Sequence, residues 1–261
     1  MTDVGVRPVK SAVHAIEVLE FLAARQDQPA RMREIADATS IPRSSLYALL
    51  RTLTERGWVR RDATGTLYGV GLRALMAGMS YLDSDPALRM LKPWLEHLNG
   101  ELGETVHVGR LDGSDIVYLA TKESSQYLRV INRVGRRLPA STTSLGKALL
   151  AAQPIADLES HLEYELPRIT AHTITDRAEL EVDLQRVRDR GYAIDLEENT
   201  TGLKCFGFAL RYTNPTVDAI SCSVPLARLT PEREEMIIAV MAAAVAEIER
   251  QAPRLGALTE F

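Results

Sequence analysis

Four leucines recur at helical spacing between a proline and a glycine, and this segment constrains the fold more than any other. The leucines are Leu46, Leu49, Leu50 and Leu53. Positions i, i+3, i+4 and i+7 lie on one face of an α-helix, so these side chains are expected to face a core. Pro42 suits the first turn of the helix, where its missing N–H costs no hydrogen bond, and Gly57 suits its C-terminal end. The segment is therefore predicted to be a short amphipathic helix.

Two helices are predicted before this leucine helix. In the first, Ser11 is expected to be the N-cap. The core-facing residues, at spacings of four, three and four, are Ala12, Ile16, Leu19 and Ala23. Residues 26–29 end that helix, Met32–Ala38 forms a short second helix, and Thr39–Ile41 makes a tight turn into the leucine helix.

A short hairpin is predicted after the leucine helix. Trp58–Arg61 and Thr66–Tyr68 flank the turn Asp62–Gly65, which has a glycine near its tip. Two short helices joined by a turn and followed by a hairpin are the order of a winged helix-turn-helix. The second helix of such a motif fits the major groove of DNA.

Basic and polar side chains occupy the face of the leucine helix opposite the leucines, the residue before the second helix, and the hairpin. They are Arg31, Arg43, Ser44, Ser45, Tyr47, Arg51, Arg60 and Arg61. Residues 43–45, near the helix start, are placed for DNA phosphates, helped by the positive end of the helix dipole. One and two turns further on, Tyr47 and Arg51 are expected to reach base edges or the groove wall. The hairpin arginines are expected to contact the flanking DNA backbone. Alternatively, the three helices form an interaction module whose arginines only increase solubility.

The charge of the chain is unevenly distributed. Residues 1–75 hold 11 Lys and Arg against 8 Asp and Glu, a net charge of +3. Since the whole chain carries −4, the remainder carries −7. A basic segment within an acidic protein favours a polyanion such as double-stranded DNA as its partner.

The second part of the chain mixes strands and helices. A linker helix is predicted over 69–83 and another helix from Asp85 to Leu102. Strand-like runs cover residues 105–110, 116–120, 128–131, 192–196, 203–210 and 219–224, and helical patterns cover 145–152, 179–189 and 231–250. This mixture predicts an α+β sensor domain.

Five segments resemble the IclR family of bacterial transcription regulators. They are residues 32–47, 53–59, 135–139, 144–151 and 190–198. The resemblance implies a winged helix-turn-helix domain at 9–71, a linker helix at 72–85 and an effector-binding domain at 86–254. That last domain is expected to be GAF/PAS-like, an antiparallel sheet flanked by helices.

The resemblance also implies a small organic effector, a catabolic carboxylate or an aromatic acid. The pocket residues that it assigns are Ser144, Leu145, Asp195, Cys205, Ser221 and Ser223. The first two open a helix, whose N-terminus favours an anion, and two serines separated by one residue on a strand point to the same face. From the residues alone, other interpretations stay open. The serines could face solvent, Asp195 could be a turn acceptor, Cys205 could be a small buried hydrophobe, and Lys147 could pair with Glu197 or Glu198.

Catalytic interpretations fit poorly. Gly146-Lys147 resembles the end of a phosphate-binding loop, but Ser141 and Ala148 stand where that loop needs glycine and Ser or Thr. Residues 69–74 match the dinucleotide glycine pattern without a buried parallel strand before them. The five histidines lack the spacing of metal ligands. Neither enzymatic activity nor a cofactor or metal is therefore expected.

The function predicted is that of a cytoplasmic repressor that binds a pseudo-palindromic operator as a homodimer or homotetramer, with an affinity controlled by the effector. No apolar run approaches the ~18 residues of a membrane span, so no membrane partner is expected. Cys205 and Cys222 are expected to be reduced and unpaired. The alternative function is a small-molecule sensor whose helix-turn-helix binds a protein.

Overall fold

A computed structural model describes residues 7–25, 27–130 and 132–252 of the chain. The chain divides into two compact units, Met1–Ser84 and Asp85–Phe261. Within the described residues, no helix is both long and apolar enough to cross a membrane.

The first unit contains four helices and a small antiparallel sheet. The elements are α1 (Lys10–Ala24), β1 (Ala30–Arg31), α2 (Met32–Thr39), α3 (Arg43–Glu55), β2 (Val59–Arg61), β3 (Leu67–Val70) and α4 (Leu72–Ser84). The strand order is β1-β3-β2. The order of elements is that of the predicted winged helix-turn-helix, with one additional strand, β1, that the sequence analysis did not predict.

The leucine helix forms as expected. Leu46, Leu50 and Leu53 of α3 are buried in the core of the unit, and Leu49 packs against that core at its edge. Pro42 is the N-cap and not a residue of the first turn, and its carbonyl accepts the first helical hydrogen bond, from Leu46 N.

The first helix turns a different face to the core than the spacing predicts. Ser11 is not its N-cap, because α1 starts earlier, after Val9. The buried side chains are Val18 and Leu22, whereas Ile16 is 55% exposed. Of the other predicted core residues, Leu19 is half-buried and Ala12 and Ala23 are exposed. Apolar residues surround most of α1, so the packing against α2 and β3 selects the buried face, not the spacing alone.

The hairpin is held by the side chain of one residue in its turn. The Asp62 carboxylate accepts hydrogen bonds from the backbone N–H groups of Thr64, Thr66 and Leu67. The hydrogen bond from the Thr64 hydroxyl, followed by these backbone donors, lowers the pKa of Asp62 to about 2. The turn is therefore fixed at neutral pH.

The linker helix starts later than predicted. Residues 69 and 70 belong to β3, where Gly69 pairs with Arg60 and Val70 with Val59. Helix α4 begins at Leu72 and buries none of its residues within this unit.

The second unit is a six-stranded antiparallel sheet with helices on both faces. Its strands are β4 (Thr105–Asp112), β5 (Asp115–Lys122), β6 (Arg137–Pro139), β7 (Ala193–Leu196), β8 (Leu203–Leu210) and β9 (Asp218–Pro225), in the order β6-β5-β4-β9-β8-β7. Its α-helices are α5 (Pro86–Leu102), α6 (Ser144–Ala152), α7 (Arg177–Arg190) and α8 (Pro231–Gln251). Helices α6 and α7 build a core on one face, and α5 and α8 pack together against the sheet. The predicted α+β class, an antiparallel sheet flanked by helices, is confirmed.

One predicted strand was wrong, and one observed strand was not predicted. Residues 128–130 are not a strand, and Ile131 lies outside the described residues. Side chains, and not a neighbouring strand, donate hydrogen bonds to the backbone carbonyls there. Arg228 donates to Leu128 O at 2.7 Å, and the Thr105 hydroxyl donates to Val130 O at 3.3 Å. The short strand β6, by contrast, was not predicted.

A glycine in β8 allows α6 to lie directly on the sheet. A Cβ atom at Gly207 would stand 2.2 Å from Ser144 O and 2.9 Å from Leu145 N. Since these are backbone atoms, they could not move aside without displacing the start of α6.

Candidate nucleic-acid interface and ligand cavity

The face of α3 opposite its buried leucines consists of exposed polar and basic side chains. They are Arg43, Ser44, Ser45, Tyr47 and Arg51, all of which the sequence analysis assigned to DNA. Tyr47 is 57% exposed, although most tyrosine side chains in folded proteins are largely buried. The helix therefore offers hydrogen-bond donors, charge and a stacking surface on one side.

The arginines of this unit differ in how far their charge is compensated. Arg51 Nε lies 3.7 Å from Glu55 Oε1, in an exposed pair one helical turn long. Arg43 has no carboxylate within ion-pair distance among the residues that the structure describes. Arg31, exposed at the start of α2, has no carboxylate within ion-pair distance in the described part of the chain, although its charge contributes to the lowered pKa of Glu34. These two charges are available to an external anion.

The hairpin adds two further exposed arginines, Arg60 and Arg61. The Arg61 guanidinium lies 5.9 Å from the centre of the Tyr68 ring, a contact that leaves its hydrogen-bond donors available. The carboxylate of the nearby Asp62 accepts hydrogen bonds from the backbone of the turn. Strand β2 packs against α3, so the hairpin is held next to this helix in the first unit.

The second unit has a cavity on the sheet face that also carries α6. Its empty space is about 340 Å³, part of it open to solvent. The lining residues are His107, Tyr118, Val130, Asn132, Arg136, Leu138, Asp195, Asn199, Thr200, Leu203, Cys205 and Ser223.

The sheet register brings three of the predicted effector residues together. Cys205 of β8 lies opposite both Asp195 of β7 and Ser223 of β9, and all three line the cavity. The other three, Ser144, Leu145 and Ser221, are buried beside it and do not line it. Their role as effector contacts stays a prediction.

Most of the remaining lining residues were missed by the sequence analysis. His107 and Tyr118 lie on strands β4 and β5, which were predicted, but the faces of those strands were not assigned. Arg136 is placed by the start of β6, which was not predicted. The adjacent glycine and arginines at 135–137 were the available signal, and they were used only as a family motif.

Burial controls the charges around the cavity. It raises the pKa of Asp195 to about 6, against the attraction of Lys147 and two backbone hydrogen bonds. Burial, followed by the Arg136 charge, lowers the pKa of His107 to about 3, so this imidazole is neutral at neutral pH. Burial also raises the pKa of the Cys205 thiol, which makes it a poor nucleophile. Cys205 and Cys222 are both free, as predicted.

Lys147 lies in the interior and not in the cavity wall. Its Nζ donates to Glu198 Oε1 at 2.5 Å and to Asp183 Oδ2 at 2.8 Å. The interpretation of Lys147 as the partner of a carboxylate is thereby confirmed. In the described ranges, no group of three or more His, Cys, Asp and Glu residues could hold a metal ion.

Comparisons with known proteins match both units. The model of the IclR helix-turn-helix domain matches residues 11–63, and that of the bacterial transcriptional regulator IclR C-terminal matches residues 79–250. The chain is 30% identical to the transcriptional repressor IclR of Escherichia coli K12 over 245 residues, 92% of this chain and 89% of that protein.

Solved structures agree with these matches. The crystal structure of the putative transcriptional regulator RHA06195 from Rhodococcus sp. RHA1 is 32% identical, with a TM-score of 0.78 over 95% of this chain and 100% of that one. The fold is also similar to that of an IclR homolog from Microbacterium hydrocarbonoxydans complexed with 4-hydroxybenzoate. That protein is 21% identical, with a TM-score of 0.74 over 94% of this chain and 99% of its own.

Proposed function

The chain belongs to the IclR family of bacterial transcription regulators, and from this premise we propose that it is a repressor whose operator affinity is set by a small organic effector. We assign DNA binding to residues 9–71, a linker helix to 72–85 and effector binding to 86–254. The observation that carries the proposal is the two-sided α3, with leucines buried on one face and basic and polar groups exposed on the other.

In this proposal the exposed face of α3 enters the major groove. Arg43, with Ser44 and Ser45, contacts phosphates near the helix start, where the dipole adds positive potential. Tyr47 and Arg51 contact base edges or the groove wall. The arginines at positions 31, 60 and 61 contact the flanking backbone.

The effector occupies the cavity of the second unit. Asp195, Cys205 and Ser223 supply polar contacts, and the segment at Ser144, Leu145 and Ser221 lies beside them. An IclR homolog of the same fold has been crystallised in complex with 4-hydroxybenzoate, which supports a small organic acid as the kind of effector. By linkage, an effector changes operator affinity only as far as it prefers one conformation, and a coupling of about 1–3 kcal/mol is typical.

Recognition of a palindromic operator requires a second copy of the chain. One module contacts few base pairs, so a palindromic site requires two recognition helices about 34 Å apart or a multiple of that distance. Along α4 an apolar stripe is left exposed in the unit, with Leu72 at 70%, Leu75 at 58% and Met76 at 56%. A stripe of that kind on one helix favours burial against an identical helix.

The DNA-binding proposal is tested with the intergenic DNA upstream of the chain's own gene. Fluorescence anisotropy should give a dissociation constant at least about a thousandfold below that for a scrambled duplex, at the same salt concentration. Equal affinity for both duplexes would contradict sequence-specific binding. Absence of any DNA binding at low salt would favour the alternative, a sensor whose helix-turn-helix binds a protein.

The proposed pairing through α4 is tested separately by light scattering. Leu75→Glu should convert the oligomer to a smaller species, because the charge would be buried in the pair. Ala77→Glu adds the same charge on the other side of α4 and should leave the mass unchanged. If both variants or neither dissociate, the stripe is not the contact.

A further inference from the structure

Two consecutive arginines at the start of β6 have opposite environments. Arg137 Nη1 lies 2.5 Å from Asp112 Oδ2 and its Nη2 lies 3.1 Å from Asp115 Oδ2, on the exposed side. Arg136 lines the cavity, where its Nη1 donates to Asn132 Oδ1 at 3.4 Å. No carboxylate in the described part of the chain lies within ion-pair distance of Arg136.

The backbone fixes Arg136 in the cavity wall. Its carbonyl accepts from Tyr118 N at 2.9 Å, and Gly135 N donates to Tyr118 O at 2.8 Å. The guanidinium is thus carried by a segment that is hydrogen-bonded to the sheet. The Arg136 charge also acts on His107, another lining residue, and contributes to its low pKa.

The same cavity has one carboxylate in its wall. Asp195 Oδ1 accepts from Glu198 N at 2.8 Å and from Asn199 N at 3.3 Å. Its Oδ2 takes no hydrogen bond from the residues that the structure describes. The side chain is buried and lines the cavity, so this oxygen is an acceptor available to a molecule bound there.

We propose that Arg136 binds the carboxylate of the effector and that Asp195 accepts a hydrogen bond from a hydroxyl group at its other end, so that the cavity selects a small hydroxy monocarboxylic acid. This inference rests on the proposed function, because it names the ligand class of the effector cavity. An ion pair with hydrogen bonds is the strongest contact that a guanidinium makes with a small anion.

The same two residues disfavour related ligands. A second carboxylate would face the Asp195 charge, and a neutral ligand would leave the Arg136 charge uncompensated. An ammonium group would lose more hydration energy than a hydroxyl group on binding at the buried Asp195 carboxylate, on which the positive charge of Lys147 already acts. A hydroxyl group satisfies the free acceptor without adding charge.

The rest of the wall is partly apolar. Val130, Leu138 and Leu203 also line the cavity and offer apolar surface to the carbon skeleton of the ligand. Part of the empty space in the cavity is open to solvent, so a ligand held by this wall need not be fully enclosed.

Isothermal titration calorimetry on the full chain tests this inference with two matched sets of compounds. The aromatic set is 4-hydroxybenzoate, benzoate, terephthalate, 4-(aminomethyl)benzoate and 4-hydroxybenzamide. The aliphatic set is 4-hydroxybutyrate, butyrate, succinate, 4-aminobutyrate and 4-hydroxybutyramide. In at least one set the hydroxy acid should bind, and it should bind about tenfold or more tightly than each of the other four.

Substitutions identify the residues responsible. Arg136→Gln should weaken binding of the hydroxy acid by about tenfold or more, since a charge-assisted contact is lost. Arg137→Gln removes the same charge one residue away and should stay within about twofold of wild type, because the exposed pair faces away from the ligand. Asp195→Asn should shift the preference toward the dicarboxylate, because the repulsion is removed.

Several results would overturn the inference. They are a dicarboxylate, amino acid or amide that binds as tightly as the hydroxy acid, equal losses in Arg136→Gln and Arg137→Gln, or no binding by either hydroxy acid up to about 10 mM. Operator binding of the ligand-free chain is measured in parallel. A chain that selects hydroxy acids and binds no operator contradicts the proposed function alone, and one that binds its operator without this selectivity contradicts only the inference.

Discussion

Lys147 Nζ donates to Glu198 Oε1 at 2.5 Å in the interior of the second unit, where the lysine side chain is 1% exposed. Asp183 of α7 is the second acceptor. The lysine thereby joins α6 to α7 and to the turn after β7, whose residues 199 and 200 line the cavity. A buried ion pair adds little net stability over apolar packing, but removing one partner leaves the others charged and unpaired.

Lys147→Met should therefore destabilise the fold strongly. The expected loss in the free energy of unfolding is about 3–5 kcal/mol at pH 8, because the buried Glu198 and the partly buried Asp183 lose their counter-charge. Lys122→Met is the matched control: Lys122 also lies 2.6 Å from a carboxylate, that of Glu96, but both side chains are about half exposed. Its loss should not exceed about 1 kcal/mol. Equal losses in urea denaturation would contradict the importance of burial.

The pKa of Glu198 predicts a pH dependence. Burial raises that pKa to about 7, against the attraction of Lys147. Because the folded state holds this proton more tightly than the unfolded state, the stability from Glu198 is present at pH 4.5 and below and is lost as the pH rises through 7. Glu198→Gln keeps the neutral form at every pH. The stability of wild type relative to Glu198→Gln should therefore fall between pH 5 and pH 8, by about 3 kcal/mol at most.

The comparison with Glu198→Gln is needed because His107 acts in the opposite direction. Its folded-state pKa of about 3 lies below the ordinary value, so its stability is present above pH 6.5 and is lost as the pH falls toward 3. The two groups partly cancel in wild type between pH 4.5 and 6.5. Denaturation curves for both proteins at pH 5, 6, 7 and 8 isolate the contribution of Glu198, and a constant difference across that range would contradict the prediction.

The elements with a clear hydrophobic period could be predicted from the sequence. The face of α3 follows from its leucines, because only one side of that helix is apolar. The face of α1 does not, since Ile16 and Val18 both belong to apolar arcs and only the packing partners decide between them. Strand β6 has three residues, too few for an alternation to be detected.

The cavity was only partly predictable for a related reason. Asp195, Cys205 and Ser223 are distant in sequence and come together through the register of β7, β8 and β9. A family motif can name such residues without the register. Arg136 and Arg137 differ only in which side of the sheet edge they face, and composition carries no information on that.

Gly207→Ala should destabilise the second unit. The added methyl group would meet Ser144 O at 2.2 Å, so α6 must move from the sheet, at a cost of about 1–3 kcal/mol. Gly100→Ala in the exposed part of α5 has no atom within 4 Å of the new methyl group and should stabilise by about 0.5–1 kcal/mol. Thermal unfolding of both variants measures the two signs. A neutral Gly207→Ala would show that the close approach of α6 is not required.

Arg43→Ala should weaken binding to every DNA sequence by a similar factor. Its guanidinium is exposed at the start of α3 and unpaired among the described residues, which is the environment expected of a phosphate contact. Losing one such contact per module lowers the slope of log affinity against log salt by about 0.9 for each module bound. Arg186→Ala, which removes an equally exposed arginine from α7 in the other unit, should leave the slope unchanged. Anisotropy titrations of operator and scrambled DNA from 50 to 200 mM salt, a range of about fourfold over which such contacts are sensitive, give both slopes. An unchanged slope in Arg43→Ala would remove the phosphate contact, and a loss confined to the operator would instead make Arg43 a reader of bases.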